Sequence, residues 1–440
     1  MKKLAFLCLA VLLVLPLCLV SCGSDDGKTL YFLNFKPESA EAYNEVAMKY
    51  KAETGITLRV VTAASGTYEQ TLKSEISKKD APVLFQLNGV IGYAAWKNYC
   101  KDLSDTEIYA NLSDPALAIR SGDGVYGIPT VVEGYGIIYN KAITDRYFAL
   151  QNRATSYTSM DEINSFTDLS ALVRDMTAHK TELGIKGVFA ATSLKSGEDW
   201  RFHTHLANLP IHREFVDRSL DLSKDDLSEI SFSRNAEFKN LFDLYLNNST
   251  TEPTLLGSKQ VADSMAEFAL EQCAMVQNGN WAWSQISGVA GNRVKAENIK
   301  FLPMYTGAEG EEKQGLCIGT EVYFAINSQA SAEKQKMAED FLLWLYTSES
   351  GKDLVTNTLG YIAPYEGFEE DEVPKDPLGR EVYEWMNREE SETIPWSFSV
   401  FPSQDFKNDF GAALLQYAQG TRTWEDVVNT VVRRWKEEAA

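Results

Sequence analysis

Strand-like and helix-like patterns alternate over residues 30–87, and no other feature constrains the fold as tightly. Residues 30–35 form a short apolar run. Tyr43, Val46, Ala47 and Tyr50 then keep the i, i+3, i+4, i+7 spacing of one buried helical face, and Gly55 stands where a C-terminal cap belongs. Ile56, Leu58 and Val60 alternate as a strand. Thr67 with Gln70 resembles a capping box opening a helix through Leu72 and Ile76, and residues 83–87 are strand again. Strands separated by helices lie parallel in one sheet, with right-handed crossovers. The expected class is α/β, with ligand groups collecting at the C-terminal strand ends.

The pattern continues. Residues 134–139, 187–191, 274–277 and 322–326 read as strands, and a helix opens at Ser331 with Met337, Phe341, Trp344 and Leu345 on it. Thr423 caps a last helix that presents Trp424, Val427, Val431 and Trp435 on one face. A chain of 440 residues predicts two domains.

The N-terminus predicts export. Lys2 and Lys3 precede an apolar run over 4–20 that is too short to cross about 30 Å of hydrocarbon and stops at a polar stretch, so residues 1–21 read as a signal peptide. The net charge of −20 becomes about −22 once the two leader lysines are gone, which argues against a nucleic-acid partner. Cys8 and Cys18 lie in the leader. Cys100, Cys273 and Cys317 permit at most one disulfide, and none is expected because a chain this long buries a large core.

Four stretches carry a family resemblance, the last of them the helix, glycine and tryptophan pattern of residues 419–435. Residues 19–22, Leu-Val-Ser-Cys, resemble the lipobox of bacterial lipoproteins, which implies acylation of Cys22, a tether over 22–27 and anchorage on the outer face of the cytoplasmic membrane, or in the periplasm if the host has an outer membrane. Tyr126, Gly127, Ile128 and Pro129, with Val131, Val132, Glu133, Gly134 and then Ile138, Tyr139 and Asn140, resemble the first lobe crossover of extracellular solute-binding proteins of the maltose-binding class. Residues 274–284, AMVQNGNWAWS, resemble the segment that brings a ligand-stacking tryptophan to the cleft in that family. The resemblance implies a two-lobed periplasmic-binding-protein fold (class II) with a cleft between the lobes and a hinge crossed more than once. Carried over, one lobe comprises 28–131 and 301–347 and the other 132–300 and 348–440. It also implies a monomer that takes no cofactor, binds an oligosaccharide or other small solute and passes it to the permease of an ATP-driven importer.

A sugar offers hydroxyls and an apolar ring face, so carboxylates, amides and indoles are the expected contacts. Trp281 matches the stacking position, whereas Trp283, two residues on, faces the opposite way in an extended segment and is assigned to the core. Glu133 stands at the crossover, either accepting sugar hydroxyls or forming a hinge salt bridge; Tyr135 follows it. Asn34, Lys36 and Glu38 lie at the end of the first strand and Asn88 at the end of the third. The second lobe offers Asp199, Trp200 and Arg201, the second crossover Glu321 and Tyr323, and the far side Trp396 and Phe406. His203, His205 and His212 lie near Glu198 and Asp199, but nothing in their spacing ensures a zinc geometry, so no metal is expected and the histidines are read as solvated or hydrogen-bonded. Two rivals stand beside the sugar-binding reading. Paired acids with tryptophans also suit a glycoside hydrolase, and acids with aromatics suit a polyamine receptor of the same fold.

Overall fold

The computed structural model describes residues 27–439 except 65, 223–225 and 370–371. The expected leader, Cys22 and the tether before Gly27 lie outside the described residues.

The first stretch folds as its alternation requires. Strands β1 (Thr29–Asn34), β2 (Thr57–Thr62) and β3 (Leu84–Asn88) are parallel, with Thr29 to Asn34 paired in register with Thr57 to Thr62. The helix Ala40–Thr54 between β1 and β2 buries Tyr43, Val46 and Tyr50, and Gly55 ends it at φ 76° with its N–H on the Lys51 carbonyl. The capping box expected at Thr67 does not form. The Thr67 hydroxyl turns back to the Ala64 carbonyl, and the helix Tyr68–Glu75 starts without a side-chain cap.

Strands β4 (Ile119–Ser121) and β5 (Gly124–Pro129) make a hairpin, after which the chain leaves this sheet through β6 (Glu133–Asn140). Strands β7 (Met275–Gly279), β8 (Ile299–Leu302) and β9 (Gln314–Gly319) all pair with β6 antiparallel, and β11 (Glu392–Pro395) adds to β9. Strand β10 (Val322–Ile326) returns to the first sheet between β3 and β5, antiparallel to both. The sheets read β2-β1-β3-β10-β5-β4 and β11-β9-β6-β7, with β8 beside β9 along β6. Residues 187–191, expected as a strand, make only single bridges, from Phe189 to Ser249 and to Met275. Gly187 packs directly on the Ser249–Thr250 backbone, where no side chain fits.

Each sheet is covered on both faces, and the period-2 alternation decides which residue goes where. Along β1, Leu30 and Phe32 join one core and Tyr31 and Leu33 the other. Along β6, Tyr135, Ile137 and Tyr139 face one core and Ile138 the opposite one. The lobe limits differ from the expected 301–347 and 348–440. Strand β9 still belongs to the second sheet, while Leu354, Val355, Tyr361 and Tyr365 pack in the first lobe's core before the chain returns. The reason is pairing at long range, with Glu133 opposite Gly319 and Val132 bridged to Ile362, so three crossing segments lie side by side.

At the C-terminus the expected cap is present: Thr423 and Asp426 form a reciprocal capping box, and Val427, Val431 and Trp435 are buried. Cys100, Cys273 and Cys317 are buried free thiols. Among the described residues no helix is long and apolar enough to cross a membrane.

Candidate ligand site between the lobes

The C-terminal end of β1 meets the start of β6. Lys36, 6% exposed, places its Nζ 2.7 and 2.8 Å from the two carboxylate oxygens of Glu133 and 3.6 Å from Glu38. Burial works to lower the Lys36 pKa, but Glu133 and Glu38 outweigh it and raise it above its ordinary value, so the ammonium stays charged. Lys36 also lies 5.8 Å from the centre of the Trp281 ring, within reach of a cation–π attraction. The lobes touch elsewhere too. A methyl added to Gly66 of the first lobe would meet the Gly197 carbonyl of the second at 3.5 Å, and the helix Gly89–Trp96 packs near residues 397–400.

Behind Lys36 lies an aromatic cluster built by the second lobe. Trp281 begins the helix Ala282–Ser287, and its indole folds over Gly279, where an added Cβ would lie 2.2 Å from the ring. Its Nε1 donates to Asn278 Oδ1, which also accepts from Gly279 N and Arg201 Nε. Trp200 is 6.0 Å from Trp281, and the Arg201 guanidinium lies 3.8 Å over the Trp200 ring. His205 sits among them, stacked on Tyr135 at 4.0 Å and edge-on to both tryptophans. Burial and then the Arg201 charge hold its imidazole pKa well below the usual range, so it is neutral.

Trp396 and Phe398 close the far side. Asn208 clamps this segment from both ends, donating to the Pro395 carbonyl and accepting from Phe398 N. Gly319 is what admits the Trp396 ring, because a Cβ there would stand 2.6 Å from its Cγ. Four buried atoms in and around the cluster find no partner among the described residues: His205 Nδ1, Trp396 Nε1, Gln277 Oε1 and Thr320 Oγ1. Buried polar atoms are nearly always hydrogen-bonded, so an orphaned group at a lobe junction is where a ligand's hydroxyls would bond.

Residues 45–380 match the model of a family described as bacterial extracellular solute-binding protein. The chain belongs to this family. Among solved structures, RafE in complex with raffinose superposes with a TM-score of 0.69 at 16% identity, over 94% of this chain and 100% of that one. A chitin oligosaccharide binding protein gives 0.68 at 17% identity, over 93% and 98%, and maltose-bound MalE3 of T. maritima gives 0.67 at 14%, over 93% and 99%. No curated protein sequence matches the chain. At these identities the likeness shows the fold, that of the two-lobed solute-binding proteins.

Placed in this solute-binding fold, the residues singled out from sequence divide into two groups. Lys36, Glu38, Glu133, Trp200, Arg201, Trp281 and Trp396 converge on the junction. Glu321 joins them at the second crossover, half-buried, its carboxyl pKa raised by burial against the pull of Lys407 and Lys36. The others are held by structural contacts. Asn34 is fully buried and closes its own turn, donating to the Lys36 carbonyl and to Thr62. Asp199 points at the helix Gln404–Ala418, where its carboxylate occupies the space above Gly411, and lies 3.5 Å from His203. Tyr135 is fully buried beneath His205, and Tyr323 donates to the Thr320 carbonyl within the first lobe. Asn88 is half-buried at the start of Gly89–Trp96 and makes no capping bond. Phe406 is core, against Phe410 and Trp435.

The premise for separating Trp281 from Trp283 changes, because the segment is helical rather than extended. Two positions still differ by about 200° on a helix, so the two rings enter opposite cores all the same. Of the two readings of the histidines, hydrogen bonding holds for His203, on Thr204, and for the half-buried His212, on Ser397, while His203 and His205 are each only 2% exposed.

Sequence reasoning missed Asn278, His205, Thr320 and Lys407. Asn278 lies inside the stretch that drew attention to Trp281. His205 follows Arg201 by four residues, a helical repeat that could have paired them, and the π-helical turn Arg201–Leu206 carries both. Lys407 gives no signal, because its helix approaches from the far end of the chain.

Proposed function

We propose that this solute-binding protein captures an oligosaccharide outside the cytoplasmic membrane and delivers it to the permease of an ATP-driven importer, as a non-catalytic monomer held to the membrane through a lipid on Cys22. The carrying observation is the cluster of Trp200, Trp281, His205 and Trp396 at the lobe junction, flat apolar faces beside unpartnered polar atoms. That combination suits a pyranose, which has a C–H face to stack and hydroxyls to bond. The similar structures include a complex with raffinose, a maltose-bound protein and a chitin oligosaccharide binding protein, which supports the same class. Arg201 and Lys407 beside the aromatics weigh against a polyamine, and the bidentate grip of Lys36 on Glu133 leaves that acid poorly disposed for proton transfer in a hydrolase.

A thermal-shift screen with raffinose, maltose, chitin, xylan and mannan oligomers, with spermidine as control, tests the reading. A stabilising sugar, followed by calorimetry and a scan for newly released reducing ends, supports it; a response to spermidine alone, or release of reducing ends, refutes it. Cys22→Ser should move the protein from the membrane fraction to the soluble one, and persistence in the pellet refutes the anchor.

A further inference from the structure

Among the charged groups at the lobe junction Arg201 is anomalous. It is 3% exposed, and only its Nε is engaged, by Asn278 Oδ1, an oxygen that already accepts two other donors. Among the described residues its two terminal nitrogens donate no hydrogen bond and no carboxylate comes within ion-pair distance of it. Arg213 shows how the same chain satisfies a sheltered guanidinium elsewhere: Glu237, Thr306 and Gln314 all accept from it. A guanidinium cannot escape by losing its proton near neutrality; burial brings the Arg201 pKa down only to about 9, with Glu198 and Glu38 working against the fall. An unpaired buried charge is among the costliest features a fold can carry, and it persists where something outside the chain neutralises it.

Lys407, half-buried on the helix Gln404–Ala418, is a second cation here that forms no ion pair among the described residues; Glu321 is the acid that acts on it, and its charge, with those of Arg201 and Lys36, bears on His205. Lys36, the third, is engaged by Glu133. The acids of the junction are already directed elsewhere, Glu133 and Glu38 onto Lys36 and Glu321 toward Lys407, so none of them pairs with Arg201. The guanidinium also lies 3.8 Å from the centre of the Trp200 ring, which is itself 6.0 Å from Trp281, so it stands beside the surface on which a sugar ring would stack. A planar fork with two free nitrogens matches a carboxylate bidentately.

We propose that the ligand is an acidic sugar, an oligosaccharide containing a uronic acid, and that the terminal nitrogens of Arg201 bind its carboxylate while Trp200 and Trp281 hold the ring. This rests on the oligosaccharide reading above and narrows it.

The test is calorimetry on the wild-type protein with matched pairs: digalacturonate against galactobiose, glucuronate-bearing xylo-oligomers against plain ones, and oligomannuronate against mannobiose, with glutarate as a carboxylate that is not a sugar. One acidic oligomer should bind about 10- to 100-fold more tightly than its neutral partner. In Arg201→Gln that preference should vanish, read as the ratio of acidic to neutral affinity on the same variant, because the lost Nε contact with Asn278 acts on both ligands alike, and the ligand-free melting temperature should be unchanged or raised, since an unpaired buried cation has been removed. Neutral oligomers binding as tightly as acidic ones overturns the proposal and leaves the sugar reading standing. Glutarate binding with no sugar bound refutes the sugar and retains an anion site. Failure of the whole acidic panel and of glutarate overturns the proposal, as does a preference that survives Arg201→Gln.

Discussion

The Lys36–Glu133 pair ties the end of the first strand of one lobe to the first residue of the strand that enters the other, and Lys36→Met tests what it does. Both side chains are nearly inaccessible, at 7% and 5% exposure, and the two N–O distances of 2.7 and 2.8 Å describe a bidentate grip. Methionine keeps most of the volume and removes the charge, leaving the Glu133 carboxylate buried with no cation in contact. Breaking one side of such a pair costs about 3–5 kcal/mol, whereas replacing both partners with apolar residues is often near neutral. Lys36→Met and Glu133→Leu should therefore each destabilise by about 3–5 kcal/mol, and the double variant by several kcal/mol less than the sum.

The pH dependence supplies an independent readout. Burial already holds the Glu133 carboxyl above its ordinary value in the wild type while Lys36 pulls it back, so in Lys36→Met, with that pull removed, it rises further. The variant's folded state holds this proton to higher pH than the wild type's, so the variant is least impaired at acid pH and the gap widens by up to about 1.4 kcal/mol per pH unit as the pH rises from the wild-type folded pKa toward the variant's. Urea midpoints at several pH values between 4 and 8, for all four proteins, measure both effects. A wild-type-minus-Lys36→Met difference independent of pH, or single losses that simply add, would refute the account of a buried, mutually dependent ion pair.

Trp281→Ala should weaken ligand binding by about 2–4 kcal/mol, from the lost apolar contact and stacking, while Trp283→Phe lowers the melting temperature with affinity kept within a few-fold; calorimetry that finds the roles exchanged inverts the assignment. Gly319→Ala forces the Trp396 ring away from a position 2.6 Å from the new Cβ and should reduce both the melting temperature and ligand affinity, an unchanged protein showing that the ring yields freely. Burial raises the Asp376 carboxyl to about 7 at the start of the helix Pro377–Met386, against the pull of the Gly379 and Leu378 N–H groups. The folded state therefore holds this proton longer than the unfolded chain, and the associated stability is full below about pH 4 and lost by about pH 7. Asp376→Asn should flatten the stability profile in that window, and an identical slope in urea melts across it counts against the assignment.

Periodicity carried the first lobe, since Tyr43, Val46 and Tyr50 on a helix, or Leu30 and Phe32 on a strand, advertise a buried face through neighbours a few residues away. The stacking tryptophan was legible for a similar reason, since Asn278, Gly279, Asn280 and Trp281 are consecutive and the glycine is needed by the indole directly after it. Where the same local reasoning chose between partners, it failed. The Thr67 hydroxyl preferred the Ala64 carbonyl to the helix start, Asn34 closed its own turn, and Asp199 turned to Gly411 on a helix more than two hundred residues away in the chain.

What the sequence by itself determined is therefore the set of elements and their buried faces, because hydrophobic spacing is a property of neighbouring residues. What only the tertiary structure decided is which lobe each late segment joins and which polar groups are left over at the junction. Glu133 opposite Gly319, Val132 beside Ile362 and Asn208 holding Pro395 and Phe398 are choices among many long-range pairings of similar local cost. An unpaired Arg201 is defined by what fails to reach it, and that can be known only once every other side chain has been placed.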